Sequence, residues 1–274
     1  MSSRKYNRKA SLIAVLDILG ISSMMNNAQP DDLSNLAQSL EEAFNEAQTN
    51  AQRIISEIDK RHNKKFSIKR FFEIQVFSDT ITICCNFNKI IKEIPILERI
   101  KLPEYYLMIY GFFVCVKEIA YSLFINGYPT RGCISAGPII STKNFIVGKP
   151  FIESITISNN LNFAGVVVSK KAKLVYDNIS EGFQSLLKDA PIERHLVACK
   201  NVRKQQMWCL NFLDGPNDRF LITDIASIFS EHGKNITGNV QEKITNTQNL
   251  LQSFLKRRKN TSVRLSIARA NADI

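Results

Sequence analysis

Two aspartates stand at the ends of apolar, strand-like segments, where carboxylates could bind metal ions. Asp17 follows the apolar run at residues 12–16, and Asp79 follows Val76-Phe77-Ser78. A carboxylate at such a place would lie on the rim of a sheet and be held by rigid backbone. Two of them could share a pair of Mg²⁺ or Mn²⁺ ions and hold a nucleoside triphosphate. Each aspartate could instead only cap a turn or a helix.

The elements that would position these aspartates follow from hydrophobic periodicity. Residues 12–16 predict a strand, and apolar residues at helical spacing predict a long helix over 31–61. Residues 71–85 predict two strands that form a hairpin at Ser78-Asp79. The later predicted elements are a helix from Pro103 to near Gly127, a strand at 130–140, a short hairpin at 144–148, a polar and weakly helical stretch to Phe163, a strand at 165–168, a helix from Ser169 to about Asp177, a strand at 206–213 and mostly helical structure beyond 215.

The first elements occur in the order strand, helix, two-stranded hairpin, helix, strand, which is typical of the ferredoxin-like fold. We therefore expect an α+β fold, with a palm-like βαββαβ core and a mostly helical C-terminal extension. The core domain is expected at residues 1–180, and a late strand with the helical extension at 181–274. In such a core Asp17 and Asp79 would lie beside each other on central strands, although they are far apart in the sequence.

Composition and charge limit the kind of protein. The chain has 274 residues, of which 45% are hydrophobic, and a formal net charge of +11. That charge suits a polyanionic partner such as a triphosphate, a nucleic acid or a membrane surface. The six cysteines show no metal-binding spacing, so we expect buried, reduced thiols in the cytoplasm. Lys117 and Glu118 interrupt the apolar run at 105–125, which favours a buried helix over a membrane span.

Three short motifs occur in the order in which they occur in class III nucleotidyl cyclases, and the chain resembles that class over residues 10–180. Val-Leu-Asp-Ile-Leu-Gly-Ile at 15–21 is similar to the end of the first cyclase strand. Phe-Ser-Asp at 77–79 is similar to the hairpin that carries their second aspartate. Arg-Gly-Cys-Ile-Ser-Ala-Gly-Pro at 131–138 is similar to a later strand. Within the class the chain looks most like the Pycsar pyrimidine cyclases of bacterial anti-phage defence.

The resemblance implies a reaction in which a ribose 3′-hydroxyl attacks the α-phosphate of the same nucleotide and expels pyrophosphate. The product would be a 3′,5′-cyclic monophosphate that signals to a downstream effector. Asp17 and Asp79 would bind two Mg²⁺ or Mn²⁺ ions, with the Ile18 carbonyl as a further ligand. Members of the class act as head-to-tail homodimers, and each site takes residues from both chains.

The resemblance also implies residues that contact the base and the phosphates. Purine cyclases place a Lys or Glu four residues before the hairpin aspartate, where this chain has Gln75. Their second base-reading residue corresponds to Phe145 if Gly148 is the matching glycine. Both differences favour a pyrimidine substrate, UTP or CTP. Arg131 and Lys200 are candidate phosphate-binding residues.

The chain departs from the class at the usual transition-state Asn and Arg, which correspond to Ile152 and Thr156. This loss favours a second hypothesis, a cyclase-like module that binds nucleotide without turnover. The net charge favours a third, a nucleic-acid-binding protein, but no compact basic and aromatic face supports it. Hydrolase chemistry is not expected, because no histidine is near an acid and a Ser or Cys in a recognised arrangement; the histidines are His62, His195 and His232.

Overall fold

A seven-stranded sheet forms the centre of the protein. The fold is given by a computed structural model, which describes residues 11–21, 30–60, 72–85, 102–141, 145–183, 191–212, 225–230 and 238–270. The strands are β1 (Ser11–Ile18), β2 (Glu73–Phe77), β3 (Thr80–Cys85), β4 (Thr130–Gly137), β5 (Ile140–Ser141), β6 (Ile146–Val147), β7 (Gly165–Val168), β8 (Ile192–Val197) and β9 (Gln205–Leu210). The large sheet has the order β2-β3-β1-β4-β7-β9-β8, and β5 and β6 form a separate two-stranded hairpin.

Helices cover both faces of this sheet. The described helices are α1 (Pro30–Lys60), α2 (Leu102–Ile125), α3 (Lys149–Asn160), α4 (Lys170–Phe183), α5 (Ile225–Ser230) and α6 (Gly238–Ala270). Helices α1 and α2 pack together on one face, and the Ser122 hydroxyl of α2 donates to the Ala43 carbonyl of α1 at 3.0 Å. Helix α3 packs on the opposite face, over β1 and β4.

Strand β1 is buried on both faces, which explains its nearly continuous apolar sequence. Leu12, Ala14 and Leu16 belong to the large core that includes α1 and α2. Ile13 and Val15 point the other way and pack with apolar residues of α3. Because side chains alternate along a strand, Asp17 lies on the α3 face.

The observed order of elements matches the sequence prediction. Strand, helix, hairpin, helix and strand occur in turn from β1 to β4, within a mixed α/β architecture. All neighbouring strands of the large sheet run antiparallel except β4 and β7. Strand β8 was not predicted. It joins the large sheet together with β9, so the sheet takes strands from both sides of residue 180; a domain boundary there stays a prediction.

The long apolar helix α2 lies inside the protein. Its segment Met108–Ile125 is long and apolar enough to cross a membrane, but 83% of that segment is buried. Lys117 and Glu118, which interrupt the apolar run, are themselves buried, with their charged groups 3.6 Å apart. These observations are typical of a core helix, as the sequence predicted.

All six cysteines are buried and unpaired, as expected from their spacing. Burial raises the pKa of the Cys115 and Cys133 thiols to about 12. Such thiols stay protonated and unreactive near neutral pH. They act as small apolar side chains of the core, and a reducing compartment stays a prediction.

Gly132 of β4 packs tightly against β1. A Cβ atom there would lie 2.4 Å from Leu16 Cδ2 and 2.7 Å from the Val15 carbonyl oxygen. We expect Gly132→Ala to lower the free energy of unfolding by about 1–3 kcal/mol, because β1 must move to admit the methyl group. Urea denaturation measures this change. Gly238→Ala is the control, since a Cβ there meets nothing within 4 Å; equal midpoints for the two variants would contradict the prediction.

Candidate active site

Asp17 and Asp79 lie next to each other at one end of the β1–β3 ladder. Asp17 is paired in register with Thr80, the first residue of β3. The backbone N–H of Ile18 donates to the carbonyl oxygen of Asp79 at 2.8 Å. Burial raises the pKa of the Asp17 carboxyl, and the nearby charge of Asp79 adds to that shift. The structure therefore brings these two distant residues to one rim of the sheet.

The turn that carries Asp79 has an unusual backbone. Ser78 has a φ of 56°, in the left-handed region that residues other than glycine rarely adopt. The Thr80 hydroxyl donates to the Asp79 carboxylate at 3.4 Å. Strained turns of this kind persist only where the surrounding structure holds them, and they are common at functional sites.

Arg131 forms an ion pair with Asp17. It is the residue of β4 that is paired in register with Asp17, and its Nε donates to Asp17 Oδ2 at 2.6 Å. The guanidinium also donates to the Leu161 carbonyl oxygen at 3.4 Å. Only 13% of the Arg131 side chain and 19% of the Asp17 side chain are exposed. A charge-assisted hydrogen bond in this setting fixes the orientation of the Asp17 carboxylate.

Burial raises the pKa of Asp17 above 3.8, and the charge and hydrogen bond of Arg131 oppose that shift. The charge of Asp79 raises the pKa further, and that of Lys200 lowers it. Because the folded-state pKa is the higher one, Asp17 destabilises the fold progressively as the pH rises from 3.8 through that pKa. A divalent cation at this rim would favour the ionised carboxylates and remove the penalty.

The oxygen atoms at this rim suit a hard divalent cation. Two carboxylates and the adjacent Ile18 carbonyl are ligands that Mg²⁺ and Mn²⁺ accept. Arg131 donates a hydrogen bond to Oδ2 of Asp17, so Oδ1 of the same carboxylate could bind an ion. Among the described residues, no group of three or more His, Cys, Asp or Glu side chains is placed to hold a metal. Phosphate oxygens and water would have to complete the coordination.

Lys200 lies in the turn between β8 and β9, close enough to this rim to act on it electrostatically. Its backbone N–H donates to the Asn160 carbonyl oxygen at 2.8 Å, at the end of α3. Asn160 Oδ1 also accepts the N–H of Asn201 at 3.1 Å, so this residue holds the turn in place. Burial lowers the pKa of Lys200, and the nearby charge of Arg131 lowers it further.

Lys243 of α6 is a further cation near Asp17, and the sequence reasoning missed it. Burial, then the charge of Arg131, lowers its pKa, and the charge of Asp17 acts in the opposite direction. No local sequence pattern distinguishes it from the other lysines. Lys243 stands beside Ile244 and one turn before Thr247, on the face of α6 that is buried. A lysine at the edge of a buried helix face commonly packs its apolar stem on the core, so only the docking of α6 shows that this one lies near the rim.

The candidate base-contacting residues lie toward the outer strand on the same side of the sheet. Gln75 of β2 is paired with Thr82, which is paired with Val15 of β1, and side-chain alternation puts Gln75 on the face of Asp17. The Ser141 hydroxyl contacts the Glu73 carboxylate and so ties the β5–β6 hairpin to β2. Phe145, immediately before β6, is 54% exposed.

The positions of the usual Asn and Arg lie on the exposed side of α3. Ile152 is 66% exposed, and Thr156 one turn later is exposed as well. Asn162 accepts a hydrogen bond from Asn246 of α6 through its backbone carbonyl, at 2.9 Å. Three further basic residues on α3 and in the β8–β9 turn, Lys149, Arg203 and Lys204, are exposed, and so is Lys200.

His195 lies near an acid and a serine, a proximity that the sequence did not reveal. Its Nδ1 is 2.7 Å from Ser253 Oγ, and its Nε2 is 3.3 Å from Glu193 Oε2. Ser253 donates its hydroxyl hydrogen to the Leu250 carbonyl at 2.6 Å, and the buried ring packs edge-on against Phe254. The contact therefore joins β8 to α6 and does not activate a nucleophile. The other two histidines, His62 and His232, lie outside the described residues.

Comparison with known proteins gives little beyond this geometry. No protein-family model matches the chain, and no curated protein matches it. A solved structure similar to it is the catalytic core of a rhodopsin-guanylyl cyclase with converted specificity in complex with ATPalphaS. The two are 11% identical, the match covers 74% of this chain and 94% of that one, and the TM-score is 0.35. A TM-score this low carries no argument about function.

Arg131→Met should raise the pKa of Asp17 further above 3.8, because it removes both the charge and the hydrogen bond that lower it. The ¹³C chemical shift of the Asp17 carboxyl, followed by NMR over the acidic pH range, measures this change. Arg194→Met on β8 is the control and should leave the titration where it is, since Arg194 stacks over Trp208. An unchanged Asp17 titration in Arg131→Met would show that the ion pair does not form in solution.

Proposed function

We propose that this protein is a nucleotidyl cyclase that converts UTP or CTP to its 3′,5′-cyclic monophosphate and pyrophosphate. The adjacency of Asp17 and Asp79 carries the proposal, through the 2.8 Å hydrogen bond from the Ile18 N–H to the Asp79 carbonyl. Paired carboxylates on one rim, with Arg131 and Lys200 beside them, combine metal ligands with phosphate ligands. That combination is what phosphoryl-transfer sites require.

Each residue of the rim has a distinct task in this proposal. Mg²⁺ or Mn²⁺ ions bound by Asp17, Asp79 and the Ile18 carbonyl would neutralise the triphosphate and lower the pKa of the 3′-hydroxyl. Strand β1, held between β3 and β4, fixes the position of Asp17. Arg131 holds one carboxylate oxygen and leaves the other free to act as a ligand. Fixed ligands of this kind favour in-line attack, which depends on the placement of the two reacting oxygens.

Stabilisation of the leaving pyrophosphate must come from residues other than those at positions 152 and 156. Ile152 offers no polar group, and Thr156 carries no charge. Arg131 and Lys200 both act electrostatically on Asp17 and are therefore close enough to influence charge at this rim. Cations preorganised where charge develops in the transition state lower the barrier. We assign this task to Arg131 and Lys200.

A pyrimidine substrate is proposed from the two positions that would contact the base. Gln75 is neutral, and its amide can both donate and accept hydrogen bonds to a base edge. Phe145 is an exposed aromatic ring that can stack on a base. The contact between Ser141 and Glu73 brings the hairpin of Phe145 against the strand of Gln75. A bulky ring there leaves less room for a purine than a small side chain would.

A homodimer with sites at the interface is proposed from the exposed apolar surface. Large apolar side chains are exposed on the β2–β3 and β5–β6 hairpins and at the start of α3: Phe77, Ile152, Ile140, Val76, Val147 and Phe145. Exposed apolar residues on neighbouring elements favour a protein–protein interface. A cytoplasmic location and a role as an anti-phage messenger that acts through an effector are proposed from the sequence resemblance alone.

A nucleotide-binding module without turnover is the second candidate. One oxygen of Asp17 already accepts from Arg131 at 2.6 Å, and α3 offers Ile152 and Thr156 where an amide and a guanidinium are usual. Both features would slow the chemistry without preventing triphosphate binding. Tight binding of a nucleoside triphosphate with no cyclic product would support this candidate.

Asp17→Asn and Asp79→Asn should each lower formation of the cyclic product by at least about a hundredfold, because each removes a charged metal ligand. The purified protein is incubated with Mn²⁺ and each of the four labelled nucleoside triphosphates, and the products are separated by chromatography. Thermal melts of both variants should stay cooperative. Asp177→Asn is the matched control, since that partly exposed carboxylate pairs with Lys173 within α4.

Three outcomes decide between the candidates. Cyclic UMP or cyclic CMP from the wild-type protein, lost in both rim variants, supports the proposal. No cyclic product from any of the four nucleotides contradicts it. Full activity of either variant would refute the assignment of the two carboxylates as metal ligands.

A further inference from the structure

Helix α6 docks its first turns against the segment between α3 and β7. The Asn246 side-chain amide donates to the Asn162 carbonyl oxygen at 2.9 Å. The backbone N–H of Ala164 donates to the Thr247 hydroxyl at 2.9 Å. Further along the helix, buried apolar side chains continue the contact: Leu250, Leu251 and Phe254. Two polar contacts and a buried apolar face therefore fix how α6 is rotated about its axis.

Lys243 lies on the docked side of α6. Thr247 Oγ1 donates to the Lys243 carbonyl oxygen at 2.7 Å, one turn earlier in the helix. Residues three and four apart share a helix face, so Lys243 shares the face of Asn246 and Thr247. Its side chain is half-buried.

The docked segment leads directly to the Asp17–Arg131 pair. Its first residue, Leu161, accepts the hydrogen bond from the Arg131 guanidinium at 3.4 Å. Lys243 interacts electrostatically with Lys200. Arg131 and Asp17 in turn interact electrostatically with Lys243. Lys243 therefore belongs to the same group of charges as the rim carboxylates, although it comes from the far end of the chain.

Within the part of the chain that the structure describes, neither the Lys200 nor the Lys243 ammonium group has a carboxylate partner. Among the ion pairs of the described residues, Asp17 is bonded to Arg131, and none includes Lys200 or Lys243. A half-buried lysine without a counterion is costly, because its charge is partly removed from water. Three cations, Arg131, Lys200 and Lys243, thus accompany two carboxylates and leave positive charge for an anion.

We propose that Lys243 binds phosphate and that α6 completes a polyphosphate site with Arg131 and Lys200. The identity of the ligand as a substrate triphosphate rests on the proposed function; the anion site itself does not. The three cations come from β4, the β8–β9 turn and α6, so they are spread over separate elements. A chain of linked phosphates offers several anionic oxygens that can contact all three cations at once. The segment 181–274 is then part of the site.

Titration calorimetry with inorganic tripolyphosphate tests this inference in the full-length protein, with and without Mn²⁺. Lys243→Met should weaken tripolyphosphate binding by about tenfold and reduce its dependence on salt, since one charge contact is lost. Lys243→Arg keeps the charge and should bind nearly as the wild type does. Lys171→Met is the control, because Lys171 is exposed on α4. In the wild type, the ¹⁵N signal of the Lys243 ammonium should shift when tripolyphosphate is added, whether or not the Met variant folds.

The outcomes separate this inference from the proposed function. Loss of binding in Lys243→Met with rescue by Arg supports the phosphate site, even if no nucleotide is cyclised. Equal binding by the wild type and Lys243→Met, with no shift of the Lys243 signal, overturns it and leaves the cyclase proposal standing. The inference is also overturned if the wild-type protein binds tripolyphosphate neither in the presence nor in the absence of Mn²⁺.

Discussion

Strand β1 is hydrogen-bonded between β3 and β4, with Asp17 opposite Thr80 on one side and Arg131 on the other. That register decides which face of the sheet receives the carboxylate. A slip of one residue would turn Asp17 toward the α1–α2 core and bring Leu16 to the α3 face. The apolar alternation of β1 opposes such a slip, because both faces of the strand are buried. The site therefore depends on core packing, although its own residues are polar.

The charges around Asp17 come from three separate parts of the chain. Arg131 is on a central strand, Lys200 is on a turn held by Asn160, and Lys243 is on a helix held by Asn162 and Ala164. The end of α3 and the segment after it contact both of the lysine-bearing elements. This short stretch thus links the late strands and the C-terminal helix to the rim. Its hydrogen bonds place a half-buried lysine, Lys243, and an exposed one, Lys200, near an ion pair, an arrangement that favours a bound polyanion.

The sequence predicted the framework of the site better than its outer charges. Asp17 and Asp79 could be paired because apolar periodicity and the Ser78-Asp79 turn define adjacent antiparallel strands. Strand β8 was missed, since its Glu193, Arg194 and His195 interrupt the apolar pattern of a half-exposed strand. Lys243 was missed because its role depends on how α6 packs, which no local sequence pattern indicates. The contact of His195 with Ser253 was missed for the same reason, because it depends on how α6 packs against β8.

The anomalous scattering of Mn²⁺ in crystals grown with a non-hydrolysable UTP or CTP analogue would locate the metal ions relative to Asp17 and Asp79. We expect manganese bound by oxygens of both aspartates, at roughly the 2.0–2.1 Å typical of small hard cations, with the triphosphate on the same rim. Manganese that contacts neither carboxylate, or a nucleotide bound on another face of the sheet, would contradict this expectation.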